Sequence, residues 1–188
     1  MPTLTHVVAF SRQGQRHEGF LDISELMKTG KRYDEDSLRA MVEASRCTDV
    51  QYMCQTSGTT GLSKSALWNH RSALASVNFT AKSLHYSEDD SYLCLTPFFH
   101  NSGMMGLNLT LALTGTTLYL MENFNATTAM QLIDKHGIST TGGFDAHWQA
   151  LRMVQKSGDY RFGISKVIGA ISPQTYDLIA EEMCGGRD

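Results

Sequence analysis

From Val50 onward, the spacing of apolar positions alternates between two periods, two residues for strands and about 3.6 for helices. Strands are expected over Val50–Cys54, Ser65–Trp68, Tyr92–Leu95, Thr116–Met121, Ile138–Thr141 and Lys166–Ala170. The longer segments between the later strands read as helices. Ser72–His85 places Leu74, Val77, Ala81 and Leu84 on one face, and Gly103–Leu113 is apolar all round, as a buried helix would be. Asn125 is placed to cap a helix over Ala126–His136, with Gly137 closing it. Asp145 is read as the cap of a helix running to Gln155, and Ser172-Pro173 as the cap and first turn of the last helix. This βαβα rhythm implies an α/β fold, a largely parallel sheet covered by helices on both faces. Residues 1–49 are more polar and form a lead-in segment, with short surface helices over Asp22–Lys28 and Asp36–Arg46. The α/β domain is assigned to residues 50–188.

Composition narrows the class of protein. The 188 residues carry 16 Lys and Arg against 19 Asp and Glu, a net charge of −3, which opposes a basic nucleic-acid binder. An apolar fraction of 41% is enough to build a core. The four cysteines, 47, 54, 94 and 184, form no C-x-x-C pair and read as reduced thiols of a cytoplasmic protein. The first twenty residues lack the apolar run of a signal peptide. No charged residue falls between Ser91 and Met121, but Gly115-Thr116-Thr117 divides that span into a helix-like and a strand-like piece, neither long enough to cross a bilayer.

One segment is rich in anion-binding chemistry, Thr56-Ser57-Gly58-Thr59-Thr60-Gly61-Leu62-Ser63-Lys64. It follows a strand and combines hydroxyl donors, two glycines that allow tight turns, and a lysine. On composition alone, a phosphate-binding loop and a plain Ser/Thr/Gly surface turn are equally good readings. The triphosphatase P-loop, G-x-x-x-x-G-K-[ST], fails here, because Ser63 stands where its second glycine should be and the residues after Lys64 read as a strand. Neither G-x-G-x-x-G, H-E-x-x-H nor G-x-S-x-G occurs.

The same segment resembles the signature loop of the adenylate-forming enzymes, a superfamily of acyl-CoA synthetases, luciferases and peptide-synthetase adenylation domains. Thr56 to Gly61 and Lys64 match that loop, while Ser63 replaces its usual proline and Ser65 its usual glycine. A second stretch, Leu95-Thr96-Pro97-Phe98-Phe99-His100-Asn101-Ser102-Gly103, is similar to the family's P-[LF]-F-H-x-x-G segment, and Lys166 to Pro173 resembles a later strand and turn. Gly142-Gly143-Phe144-Asp145 falls where many members carry a proline-containing loop. The resemblance implies a partial N-terminal domain of an enzyme that uses ATP and Mg²⁺ to turn a carboxylic acid into an acyl-adenylate, then passes the acyl group to coenzyme A. It implies nucleotide binding by Thr56, Ser57, Gly58, Thr59, Thr60, Gly61 and Lys64, with Lys64 and Thr60 assisting catalysis. Phe99, His100 and Met104 would border the acyl pocket, joined by Phe98 and Met105. His70 reads as a structural strand-end residue. The family's Mg²⁺-binding glutamate and catalytic lysine lie in later segments, so the chain reads as a central piece that needs the rest of its synthetase. A P-loop-type triphosphatase with an altered cradle and a non-catalytic nucleotide-binding fragment stay open as alternatives.

Overall fold

A computed structural model describes residues 5–11, 15, 18–30, 34–56, 58, 61–108 and 114–184. The chain divides into two compact units, Met1–Arg46 and Cys47–Asp188.

In the first unit, β1 (Val8–Ala9) and β2 (Leu21–Asp22) pair in parallel, and α1 (Ile23–Gly30) and α2 (Glu35–Ala44) follow. The Asp34 carboxylate caps α2, accepting the Ser37 amide at 2.7 Å. Neither helix buries a residue, as expected of surface helices.

The second unit opens with a hairpin. β3 (Val50–Gln55) and β4 (Ser65–Asn69) run antiparallel, with Cys54 opposite Ala66 and Gln55 opposite Ser65. α3 (His70–Ser83) starts directly after β4, and the Asn69 side chain accepts the Ser72 amide at 2.8 Å. Its buried positions are Ala73 and Val77, whereas Leu74 is 42% exposed. The inward stripe is therefore turned by one residue from the expected Leu74 face, and the small Ala73 side chain points inward.

Four parallel strands follow in the order β6 (Thr117–Leu120), β5 (Ser91–Cys94), β7 (Thr140–Gly142), β8 (Lys166–Ile168). Leu93 and Leu95 point to the face covered by α5 (Ala126–His136) and α6 (Asp145–Ser157). There Met130, Ile133, Trp148 and Leu151 are fully buried, each side chain contributing about 1.5–3 kcal/mol by leaving water. Tyr92 and Cys94 alternate onto the opposite face, where α4 (Asn101–Asn108) packs against β5 and α3. Helices thus flank both faces, as expected. Part of the expected Gly103–Leu113 helix, residues 109–113, lies outside the described residues.

α5 forms as its sequence indicates. Asn125 accepts the Thr128 amide at 2.9 Å, and Gly137 closes the helix in the left-handed region at φ 59°. Asp145 is a correction. The N-cap of α6 is Phe144, and Asp145 is the first helical residue, its carboxylate turned away to accept the Ser172 amide at 2.9 Å. A tertiary hydrogen bond there outcompetes the local capping geometry. β8 also ends two residues before its expected limit, because Gly169 lies against the Gly143 carbonyl. Ser172 caps α7 (Pro173–Asp177) as expected, and the chain continues as a π-helical segment, Leu178–Met183. All four cysteines are free thiols. Among the described residues no helix is long and apolar enough to cross a membrane.

Candidate functional site

The Ser/Thr/Gly segment is the turn of the β3–β4 hairpin. Its stems are closed twice by backbone and side-chain bonds. The Thr56 amide donates to the Lys64 carbonyl at 2.8 Å, and the Lys64 amide donates to the Thr56 hydroxyl at 3.0 Å. Ser63, in place of the family's proline, donates its hydroxyl to the Thr56 carbonyl at 2.8 Å, so it ties the loop by a hydrogen bond rather than by a ring. Gly58 sits at φ +67°, and a Cβ there would stand 2.8 Å from the Gly61 carbonyl oxygen. Its bareness makes room for the loop's own backbone. Among the described residues, a Cβ at Gly61 (φ +148°) would meet nothing within 4 Å. Gly61, Leu62, Ser63 and Lys64 are all exposed. Ser57, Thr59 and Thr60, three of the residues assigned to phosphate, lie outside the described residues.

A strand begins at Ser65, directly after Lys64. A triphosphatase P-loop opens a helix at that point, and this geometry disfavours that alternative.

The second part of the site is a cleft of about 340 Å³ at the carboxyl ends of the parallel strands. β5 has β6 on one side and β7 on the other, which makes the β5–β7 boundary the switch point where open α/β sheets bind ligands. Thr96 beyond β5, Gly142 and Gly143 of the β7 end, and Ile168 to Ala170 of the β8 end form the walls. His100, Asn101 and Ser102 at the start of α4, with Phe144, complete the rim, and Tyr92 reaches in from within the sheet.

The walls meet closely because they lack side chains. A Cβ on Gly142 would stand 2.3 Å from the Ile168 carbonyl oxygen, and one on Gly169 2.2 Å from that of Gly143. Gly103 allows α4 to begin against the Pro97 carbonyl at 2.3 Å from its missing Cβ. His100 is held at the rim. Its Nδ1 pairs with the Ser102 hydroxyl at 2.8 Å and accepts the Ser102 amide at 3.3 Å, and its ring meets Phe144 edge-on at 6.0 Å. Behind Phe144, His147 accepts the Phe144 amide at 3.2 Å. Burial holds its pKa below the ordinary 6.5, so it stands neutral near pH 7.

Of the other expected pocket residues, Phe99 is 88% exposed and does not line the cleft. Met104 and Phe98 are half-buried and do not line it. The Met105 side chain lies outside the described residues. Tyr92, Gly142, Gly143 and Phe144 carry much of the wall instead. The Gly142-Gly143 pair after a short strand was the sequence signal for them.

Loop and cleft belong to one body. The Tyr52 hydroxyl on β3 donates to Asn101 Oδ1 on the cleft helix at 3.1 Å, and Tyr52 stacks on Trp68 across the hairpin at 5.8 Å.

A family model described as AMP-binding enzyme matches residues 6–182. The chain belongs to the AMP-binding enzyme family. Among curated members, it is 34% identical over 151 residues to the 3-[(3aS,4S,7aS)-7a-methyl-1,5-dioxo-octahydro-1H-inden-4-yl]propanoyl:CoA ligase of Mycobacterium tuberculosis, covering 80% of this chain and 29% of that protein. It is 27% identical over 168 residues to the 2-succinylbenzoate–CoA ligase of Listeria monocytogenes, covering 89% of this chain and 34% of that protein. The fold is that of O-succinylbenzoate coenzyme A synthetase from Bacillus subtilis in complex with AMP, with a TM-score of 0.72 at 19% identity, over 94% of this chain and 37% of that one. The chain spans about a third of the length of these family members.

Proposed function

We propose that this chain is the phosphate-loop and acyl-pocket portion of an ATP-dependent acid–thiol ligase, which activates a carboxylic acid as its acyl-adenylate and passes the acyl group to coenzyme A. The carrying observation is the pairing, within one compact unit, of an exposed lysine-bearing loop with a cleft at the sheet's switch point, joined through Tyr52 and Asn101.

In this reading the carboxylate attacks the α-phosphorus of ATP and pyrophosphate leaves. Charge grows on the leaving phosphates, and the loop offers donors there: the Lys64 ammonium, with the hydroxyls of Thr56, Ser57, Thr59 and Thr60. Thr56 already accepts the Lys64 amide through its oxygen, which leaves its own proton free to donate. Gly58 sets the loop's inner turn, and a phosphate approaches on the Gly61 side. Mg²⁺ neutralises phosphate charge in such a transfer. No three His, Cys, Asp or Glu side chains converge among the described residues, so the ion would be met here through the phosphates. The acid occupies the cleft with His100 at its mouth. The acceptor thiol is that of coenzyme A, and the remaining catalytic groups come from the rest of the synthetase.

The test is Lys64→Ala in the complete gene product. ATP–pyrophosphate exchange is expected to fall by about 100-fold, the scale of losing one preorganised donor to a developing anion, with unchanged thermal stability. Unaltered exchange rules out the loop's role.

A further inference from the structure

We propose that the acid taken by this cleft bears an oxygen acceptor remote from its carboxylate, and that the Tyr92 hydroxyl donates a hydrogen bond to that oxygen. The inference deepens the ligase reading above and rests on it.

Tyr92 is 3% exposed, yet it lines the cleft. The phenol can be there because Gly142 is bare. Its hydroxyl stands 3.0 Å from where a Gly142 Cβ would be. The register explains the reach. Tyr92 pairs with Thr140 and Cys94 with Gly142, so the long ring runs along the sheet from the start of β5 toward the carboxyl end of β7. Among the described residues no group hydrogen-bonds the Tyr92 hydroxyl. Unlike the Tyr86 hydroxyl, which is sealed and unpaired among the described residues, it opens on the cleft, where a ligand oxygen can meet it. The Trp148 indole nitrogen, by contrast, is unpaired but sealed inside the core, where no ligand can relieve it.

The chemistry of the missing partner follows. Burial pushes the Tyr92 pKa well above its ordinary 10.0, so at neutral pH the group is an O–H donor and calls for an acceptor. The cleft around it is lined by glycine backbone, Ile168 and Phe144, with Thr96, His100, Asn101 and Ser102 as its other polar groups. A ketone, ether or hydroxyl oxygen suits a single neutral donor in such surroundings, whereas a cation does not. Sites built to hydrogen-bond a substrate oxygen discriminate strongly against the analogue that lacks it.

The experiment uses the complete gene product and matched pairs of aromatic and alicyclic acids, keto against methylene and hydroxy against hydrogen, at increasing distance from the carboxylate. ATP–pyrophosphate exchange is measured for wild type and for Tyr92→Phe, which keeps the ring and removes only the hydroxyl. The proposal expects at least one pair in which the oxygenated acid is favoured about 10–100-fold in kcat/KM by wild type. Tyr92→Phe should reduce that preference to within about threefold by slowing the oxygenated acid alone. Exchange without discrimination in any pair overturns the proposal and leaves the ligase reading standing. Equal slowing of both members by Tyr92→Phe also overturns it, because that marks a purely structural phenol. No exchange with any acid, including simple unsubstituted ones, removes the ligase reading and this inference together.

Discussion

The two ends of the parallel sheet solve opposite problems. At the end where the strands begin, charge and hydrogen bonds converge on one carboxylate. Asp90, 8% exposed, accepts Lys166 Nζ at 2.6 Å, the Ser87 amide at 2.8 Å and the Ser139 hydroxyl at 2.9 Å. Lys166 also donates to the His85 carbonyl at 2.9 Å and lies over the Tyr86 ring. At the end where the strands finish, side chains are missing, the backbones of Gly142 and Gly169 touch their neighbours, and the Tyr92 hydroxyl opens on the cleft. One end is closed by charge and hydrogen bonds. The other is held open by the absence of atoms. Stability and recognition are separated along the strand direction, and for this reason substitutions at the two ends should read out differently.

The largest expected effect tests whether openness itself is structural. Gly142→Ala places a methyl 2.3 Å from the Ile168 carbonyl oxygen, so β7 and β8 must separate. A loss of about 3 kcal/mol is expected in chemical denaturation followed by Trp148 fluorescence, and an unchanged midpoint would show that the strands yield freely. Next is Lys166→Met, which leaves Asp90 without its cation. A loss of about 2 kcal/mol is expected, smaller than for a fully dry pair because Lys166 keeps 21% of its side chain in water.

Acid should reproduce part of that loss without a mutation. Burial raises the Asp90 pKa, but Lys166, the Ser87 amide and the Ser139 hydroxyl outweigh it, and the carboxyl titrates below the ordinary 3.8. A group depressed in the folded state stabilises fully above its unfolded pKa and loses that contribution as pH falls through the folded one. Stability should therefore decline as pH drops below 3.8, and less steeply in Lys166→Met. An equal acid slope in both proteins would remove Asp90 from the account. The smallest effect on stability belongs to His100→Ala, within about 0.5 kcal/mol, since that ring sits exposed at the cleft rim. Its consequence should appear as a changed preference among acids with ATP affinity retained, and the reverse pattern would return His100 to the scaffold.

Features set by local chemistry were legible in the sequence. Asn125 and Gly137 bound α5 where a cap and a left-handed stop belong, and Ser172-Pro173 opens α7. The loop between β3 and β4 was legible because its residue types serve one turn. Features set by distant partners were not. Asp145 looks like a cap until the Ser172 amide, 27 residues on, claims it. The exposure of Phe99 follows from the turn between Pro97 and His100, which no apolar period announces. Tyr92 reads as an ordinary strand residue. Only the register that sets Cys94 beside Gly142 reveals where its hydroxyl emerges.

The hairpin setting of the loop carries an electrostatic consequence. No helix begins at Lys64, because β4 intervenes before α3, so an anion resting in the turn has no macrodipole aligned behind it. Attraction then falls on a lysine charge standing in open water, whose reach is about 8 Å at physiological ionic strength. If the loop binds polyphosphate as proposed, added salt should weaken that binding more steeply than it does for loops that feed directly into a helix.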